Sequence, residues 1–226
     1  MTDRWILTDM PWELTSEDVI KHLHITEDDQ EDFEELFGRV MPLMKPVIYY
    51  GRAKIEDNDG HNVKIGGQVF TSRVLSVNLK NCEEVYPYVM TSGREAYEFG
   101  EAQDDFLMKY WAEQICEMAL RRSSASGMKL ITERLGYKNL YAMNPGSLEN
   151  WPISQQKPLF DLLGNVFESC GVVLTPSYLM QPVKSGSGIL FASEEHYANC
   201  MLCPRIGCPS RRAAFKPDMF REKYGD

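Results

Sequence analysis

The sequence contains no run of about 18 apolar residues, so it offers no transmembrane helix. Its first residues, MTDRWILTDMPWEL, lack a basic stretch followed by an apolar one, so no secretory leader is expected and the reading is cytoplasmic. Basic charge is in short supply: 24 Lys and Arg stand against 33 Asp and Glu, a net charge of −9. Duplex nucleic acid and anionic membrane surfaces both need clustered cations, so neither is an expected partner. Histidine is scarce and scattered, at His22, His24, His61 and His196, with no HExxH pair. The GxGxxG and GxSxG signatures are missing, because Ser185-Gly186-Ser187-Gly188 matches neither spacing. Internal repeats and low-complexity segments are absent too.

What remains is an ordinary globular composition, 43% apolar and 25% charged over 226 residues. Such a chain buries roughly 70% of its unfolded surface and folds without covalent staples. Thr15-Ser16-Glu17-Asp18 reads as a helix N-cap, and Thr26 as a second. Phe33, Leu36, Phe37 and Val40 then recur at helical spacing until Pro42 and Pro46. Two β-prone runs flank Asn58-Asp59-Gly60 and predict a hairpin. TSRVLSVNLKN predicts a short helix and EVYPYVMTS a buried strand. Asp104 and Asp105 fit a helix start better than an acid–base pair. Residues 101–124 form the longest helical pattern, with Phe106, Tyr110, Ile115, Met118 and Ala119 on one face. A Ser/Gly break at 123–127 is expected to separate it from MKLITERL. After a short strand comes a Pro145-Gly146 loop. An amphipathic helix over SQQKPLFDLLGNVF follows, then two strands joined through a turn at 184–188. This irregular mixture of strands and helices, with no βαβα rhythm, predicts an α+β fold with a mixed or antiparallel sheet.

Six cysteines are present, three of them in nine residues: Cys200, Cys203 and Cys208. In a reducing compartment this spacing points to metal or redox chemistry rather than structural disulfides. Zinc and an iron–sulfur cluster such as [4Fe-4S] are equally compatible ligands, with His196 or Cys170 as a fourth donor. Pro204 and Pro209 would stiffen the knuckle, and Arg211 and Arg212 would offset thiolate charge.

The stretch Asn144-Pro145-Gly146, Trp151-Pro152, QQKPLF, GVVLTPSYLMQP and KSGSGILF resembles the activation domain of cobalamin-dependent methionine synthase. The resemblance extends more loosely over residues 15–200. The CxxCxxxxCP tail is similar to that of small stand-alone relatives. It divides the chain into an activation-domain-like unit at 1–199 and a Cys-rich tail at 200–226. The resemblance implies binding of S-adenosylmethionine (SAM), with Asn144, Pro145, Gly146, Tyr197, Ala198 and Glu117 as site residues. It also implies docking on a corrinoid protein or cobalamin-dependent methyltransferase, to support reductive methylation of inactive cob(II)alamin, with no turnover by this chain alone. The family's carboxylate-clamping arginine falls on Ala142, a departure from the pattern. Two other roles are compatible with the tail: an iron–sulfur electron-transfer accessory, or a binding module stabilised by zinc.

Overall fold

The computed structural model describes residues 3–208 and 210–225. Two helices open the fold after a first strand, β1 (Asp3–Leu7): α1 (Ser16–Leu23) and α2 (Gln30–Val40). Thr15 caps α1 as expected: its hydroxyl accepts from the Asp18 N–H at 3.2 Å, and the Asp18 carboxylate accepts from the Thr15 N–H. The Asn58-Asp59-Gly60 turn joins β2 (Val47–Asn58) to β3 (Asn62–Ile65), with the Asp59 carboxylate accepting from the N–H groups of His61 and Asn62. The expected second arm is interrupted. Gly66 and Gly67, both at positive φ, turn the chain into β4 (Gln68–Thr71).

The short helix α3 (Arg73–Asn78) and the strand β5 (Glu84–Thr91) follow, then α4 (Arg94–Glu101) and the long α5 (Phe106–Arg134). Strand β6 (Leu140–Met143), α6 (Gln156–Leu163), α7 (Val166–Cys170) and the pair β7 (Val173–Leu174) and β8 (Met180–Gln181) lead to β9 (Ser185–Ala192). The main sheet is antiparallel throughout, in the order β4-β3-β2-β5-β9-β6, with β1 also paired to β2. The α+β expectation is therefore met, in its antiparallel form.

Alternation along the strands sends side chains to two cores. On one face Val63, Phe70, Val85, Ile189 and Phe191 pack with α3 and α6. On the other, Ile48, Tyr50, Tyr86, Tyr88 and Leu190 meet Ile131 of α5. The first half of α5 packs instead on α1, α2 and α4 through Trp111, Ala112, Ile115 and Ala119.

Other local expectations fail too, and the helix expected over SQQKPLFDLLGNVF is split at Gly164-Asn165 into α6 and α7. The break at 123–127 is not found, because α5 runs on to Arg134. The Ser123 and Ser126 hydroxyls bond carbonyls of the preceding turn, and Gly127 lies against Ile48 and Met10. Residues read as a breaker are instead small because the sheet comes close. The expected apolar face of α5 holds at Ile115 and Ala119, which are buried, and fails at its start, where Phe106 and Tyr110 are exposed and Trp111 is buried instead. Finally, Ser185–Gly188 is strand rather than turn, and the reversal before it lies at Thr175–Tyr178.

Candidate functional site

Strand β6 ends by delivering Asn144 onto the paired strands β5 and β9. There its side-chain amide donates to the Tyr88 hydroxyl and to the Ser187 carbonyl, both at 2.7 Å. Its side-chain oxygen accepts from Asn199 at 3.0 Å, and Asn199 in turn accepts from the Tyr197 hydroxyl at 2.9 Å. A second branch runs from the Ser187 hydroxyl to Gln156 of α6 at 2.7 Å. Ser187, Gln156 and Asn199 are all buried, so each of these polar groups needs the partner it has. Burial pushes the Tyr88 and Tyr197 phenols upward, keeping both neutral.

Of two alternate glycines in β9, Gly188 makes room for this network and Gly186 for Met90. In the β5–β9 register Tyr88 faces Gly188 and Met90 faces Gly186. A Cβ on Gly188 would collide with the Met143 carbonyl, lie 2.6 Å from the Asn144 amide nitrogen and crowd the Tyr88 hydroxyl. Alternate glycines inside a strand signal such an approach. They are the sequence cue that the turn reading of Ser185–Gly188 overlooked.

The expected site residues divide into two groups. Asn144 and Tyr197 belong to one hydrogen-bonded cluster, which also takes in Tyr88, Ser187, Gln156 and Asn199. Pro145 is buried beside it. Gly146 is exposed at φ +81, its N–H donating to the Trp151 carbonyl at 2.7 Å. Ala198 is extended and starts the 3-10 turn Asn199–Met201. Glu117 stands apart, on α5. Its carboxylate pairs with Lys184 at 2.9 Å and Arg121 at 3.4 Å, and the bond from Lys184 holds it below the ordinary carboxylate range. Burial alone would depress Lys184, but Glu113 and Glu117 together raise it. Arg121 reaches onward to the Ser210 hydroxyl, linking α5 to the tail.

The tail cysteines do not assemble as the spacing suggested. Among the described residues, no three His, Cys, Asp or Glu side chains form a group able to hold a metal ion. Cys200, Cys203 and Cys208 are free, half-buried thiols. The centre of their loop is occupied by the Arg211 guanidinium, which donates to the carbonyls of Cys200 at 3.1 Å and Cys203 at 3.2 Å, and also to that of Arg205. Of the two expected fourth donors, one is engaged elsewhere and the other does not complete a cluster. The Cys170 thiol is buried, bonded to the Val166 carbonyl and pushed up to about 11 by desolvation. The His196 ring packs edge-on against Tyr141. Pro209 lies outside the described residues.

Cys200 nevertheless differs from the interior cysteines. Burial acts to raise its thiol, but backbone N–H groups of Arg212 and Ala213 and the Arg212 charge outweigh that and hold it below the usual thiol range. Arg212 also acts electrostatically on Tyr88. The Arg212 backbone N–H donates to the Cys200 sulfur at 3.4 Å, which ties this residue to the segment that follows Asn199.

No family model and no curated protein matches this sequence. Among solved structures, the fold is similar to the crystal structure of the MetH reactivation domain bound to AdoHcy. That likeness has a TM-score of 0.52 and 16% identity, and it covers 87% of this chain and 81% of that one. At that identity, what the two proteins share is the fold: a curled antiparallel sheet with helices, extending over most of both chains.

Proposed function

We propose that this chain binds SAM beside the Asn144–Gly146 loop and serves as an activation module, docking on a corrinoid protein to support its reductive methylation. The observation that carries the reading is the buried Tyr88–Asn144–Asn199–Tyr197 network. It joins the end of β6 to the segment after β9 within a fold like that of a domain solved with AdoHcy. Position 142 offers no cation, and Arg212, whose backbone N–H holds the Cys200 sulfur one residue from Asn199, is the group we assign to the carboxylate of the ligand's amino-acid end. The chain supplies position, and the corrinoid and SAM supply the chemistry.

Isothermal titration of the intact chain with SAM and with AdoHcy tests the reading. Saturable binding is expected, weakened about tenfold in Asn199→Ala, which cuts the link between loop and tail; tenfold is about 1.4 kcal/mol, one buried hydrogen bond. Absence of saturation at millimolar SAM in the folded wild-type chain would remove the reading. Docking is checked separately, by whether the chain restores methyl transfer to a cob(II)alamin-loaded corrinoid protein given SAM and a low-potential reductant.

A further inference from the structure

The six thiols fall into two populations. Those of Cys82 and Cys170 act as donors, to the Ala192 carbonyl at 3.5 Å and the Val166 carbonyl at 3.2 Å. Cys116 is buried in the helical core. Cys200 is different: its sulfur accepts, from the backbone N–H of Arg212 at 3.4 Å. A donor aimed at sulfur favours the thiolate, the nucleophilic form. The Cys203 N–H donates to the Cys200 carbonyl at 3.4 Å, closing a turn of four residues. Such a turn keeps its first and last Cα atoms within about 7 Å, and disulfides span Cα separations of about 4.4–6.8 Å. Arg211 reinforces this closeness, since one guanidinium holds the carbonyls of both cysteines. Both thiols are partly open to solvent, and Cys203 lines a groove of about 690 Å³ between the tail and residues 147–150. Cys208 lies beyond the turn, its carbonyl accepting from the Arg211 N–H at 3.2 Å.

We propose that the tail carries a reactive dithiol, with Cys200 as the attacking thiol and Cys203 as the resolving one, whose reaction partners are small-molecule disulfides. The Cys200 thiolate attacks one sulfur of the disulfide, forming a mixed disulfide and expelling a thiolate that takes a proton from solvent. Cys203 gives its proton to solvent and attacks the Cys200 sulfur, expelling the second thiolate. Two protein thiols are oxidised and one external disulfide is reduced to two thiols. This chemistry stands independently of SAM binding. Its position gives it a consequence, because Cys200 adjoins Asn199, whose amide holds Asn144.

The test uses the full chain, prepared anaerobically with its zinc and iron content measured, then exposed to glutathione disulfide and quenched by alkylation. Trypsin separates the two candidates from Cys208 by cutting after Arg205. The expected product is a 185–205 peptide that has lost two hydrogen atoms, with Cys208 still alkylated. Cys203→Ser should stop at a glutathione adduct on Cys200, and Cys200→Ser should react about tenfold more slowly overall. Three results would overturn the proposal: an unchanged rate in Cys200→Ser, a disulfide that involves Cys208, or stoichiometric zinc or iron that shields all three thiols.

Discussion

At the scale of single residues, position decides what each polar group does. Asn144 makes three hydrogen bonds because β6 ends beside the paired strands β5 and β9, and the glycine at 188 leaves space for its amide. Asp18 shows the same logic at the surface. Its carboxylate accepts from Arg122 at 2.9 Å and completes the α1 cap, and these bonds, Arg122 first, hold it down to about 2. An unfolded aspartate titrates near roughly 4. Its contribution to stability is therefore complete above that value and is lost as pH falls through about 2. Thermal melts of wild type and Asp18→Asn across this range check the sign. The wild type should melt higher at neutral pH, and the two curves should converge toward pH 2. A gap that stays constant with pH would show that the carboxylate's charge is irrelevant.

At the scale of elements, the caps and periodic stripes were legible and the close approaches were not. Thr15, Asp105 and the Asn58–Gly60 turn act through neighbours a few residues away, so their chemistry is written locally. Gly127 and Ser185–Gly188 carry the signature of a breaker and a turn, yet both serve tertiary contacts that no local pattern encodes. The site divides the same way. Asn144 and Tyr197 were recognisable, whereas Tyr88, Gln156 and Ser187 join them only through sheet register and the placement of α6. Helix α5 turns this distinction into a measurement. In an exposed helix interior, Gly→Ala stabilises by about 0.5–1 kcal/mol. At Gly127 the added methyl would run into Ile48 and stand 3.0 Å from the Met10 sulfur. Gly127→Ala is therefore expected to destabilise by about 1–3 kcal/mol in urea denaturation. A gain in stability would mean that α5 sits farther from the sheet than this packing requires.

At the scale of the molecule, the question is whether the tail is an appendage. The family resemblance placed a boundary at residue 199, between an activation-domain-like unit and a Cys-rich tail. The chain's last turn argues for interdependence. Tyr224 is 1% exposed and packs in the same core as Val85, Phe191 and Tyr197, with its hydroxyl donating to Asn78 at 2.9 Å. Arg73 of α3 clasps the Tyr224 carbonyl at 3.2 Å, and Met201 is buried as well. Burial pushes the Tyr224 phenol up to about 12, so it stays a neutral donor throughout the physiological range. Deleting an aromatic ring from a filled core costs about 3–5 kcal/mol, and a domain of this size has roughly 5–15 in total. Tyr224→Ala should therefore lose about a fifth or more of the stability, while Tyr224→Phe, which forfeits only the bond to Asn78, should lose about 1 kcal/mol. A chain ending at residue 199 should lack a cooperative transition or melt far below the full chain. If that fragment unfolded with the full chain's midpoint and slope, the tail would be an attachment after all. The Asn144 cluster would then hold its shape without the segment that supplies Cys200 and Arg212.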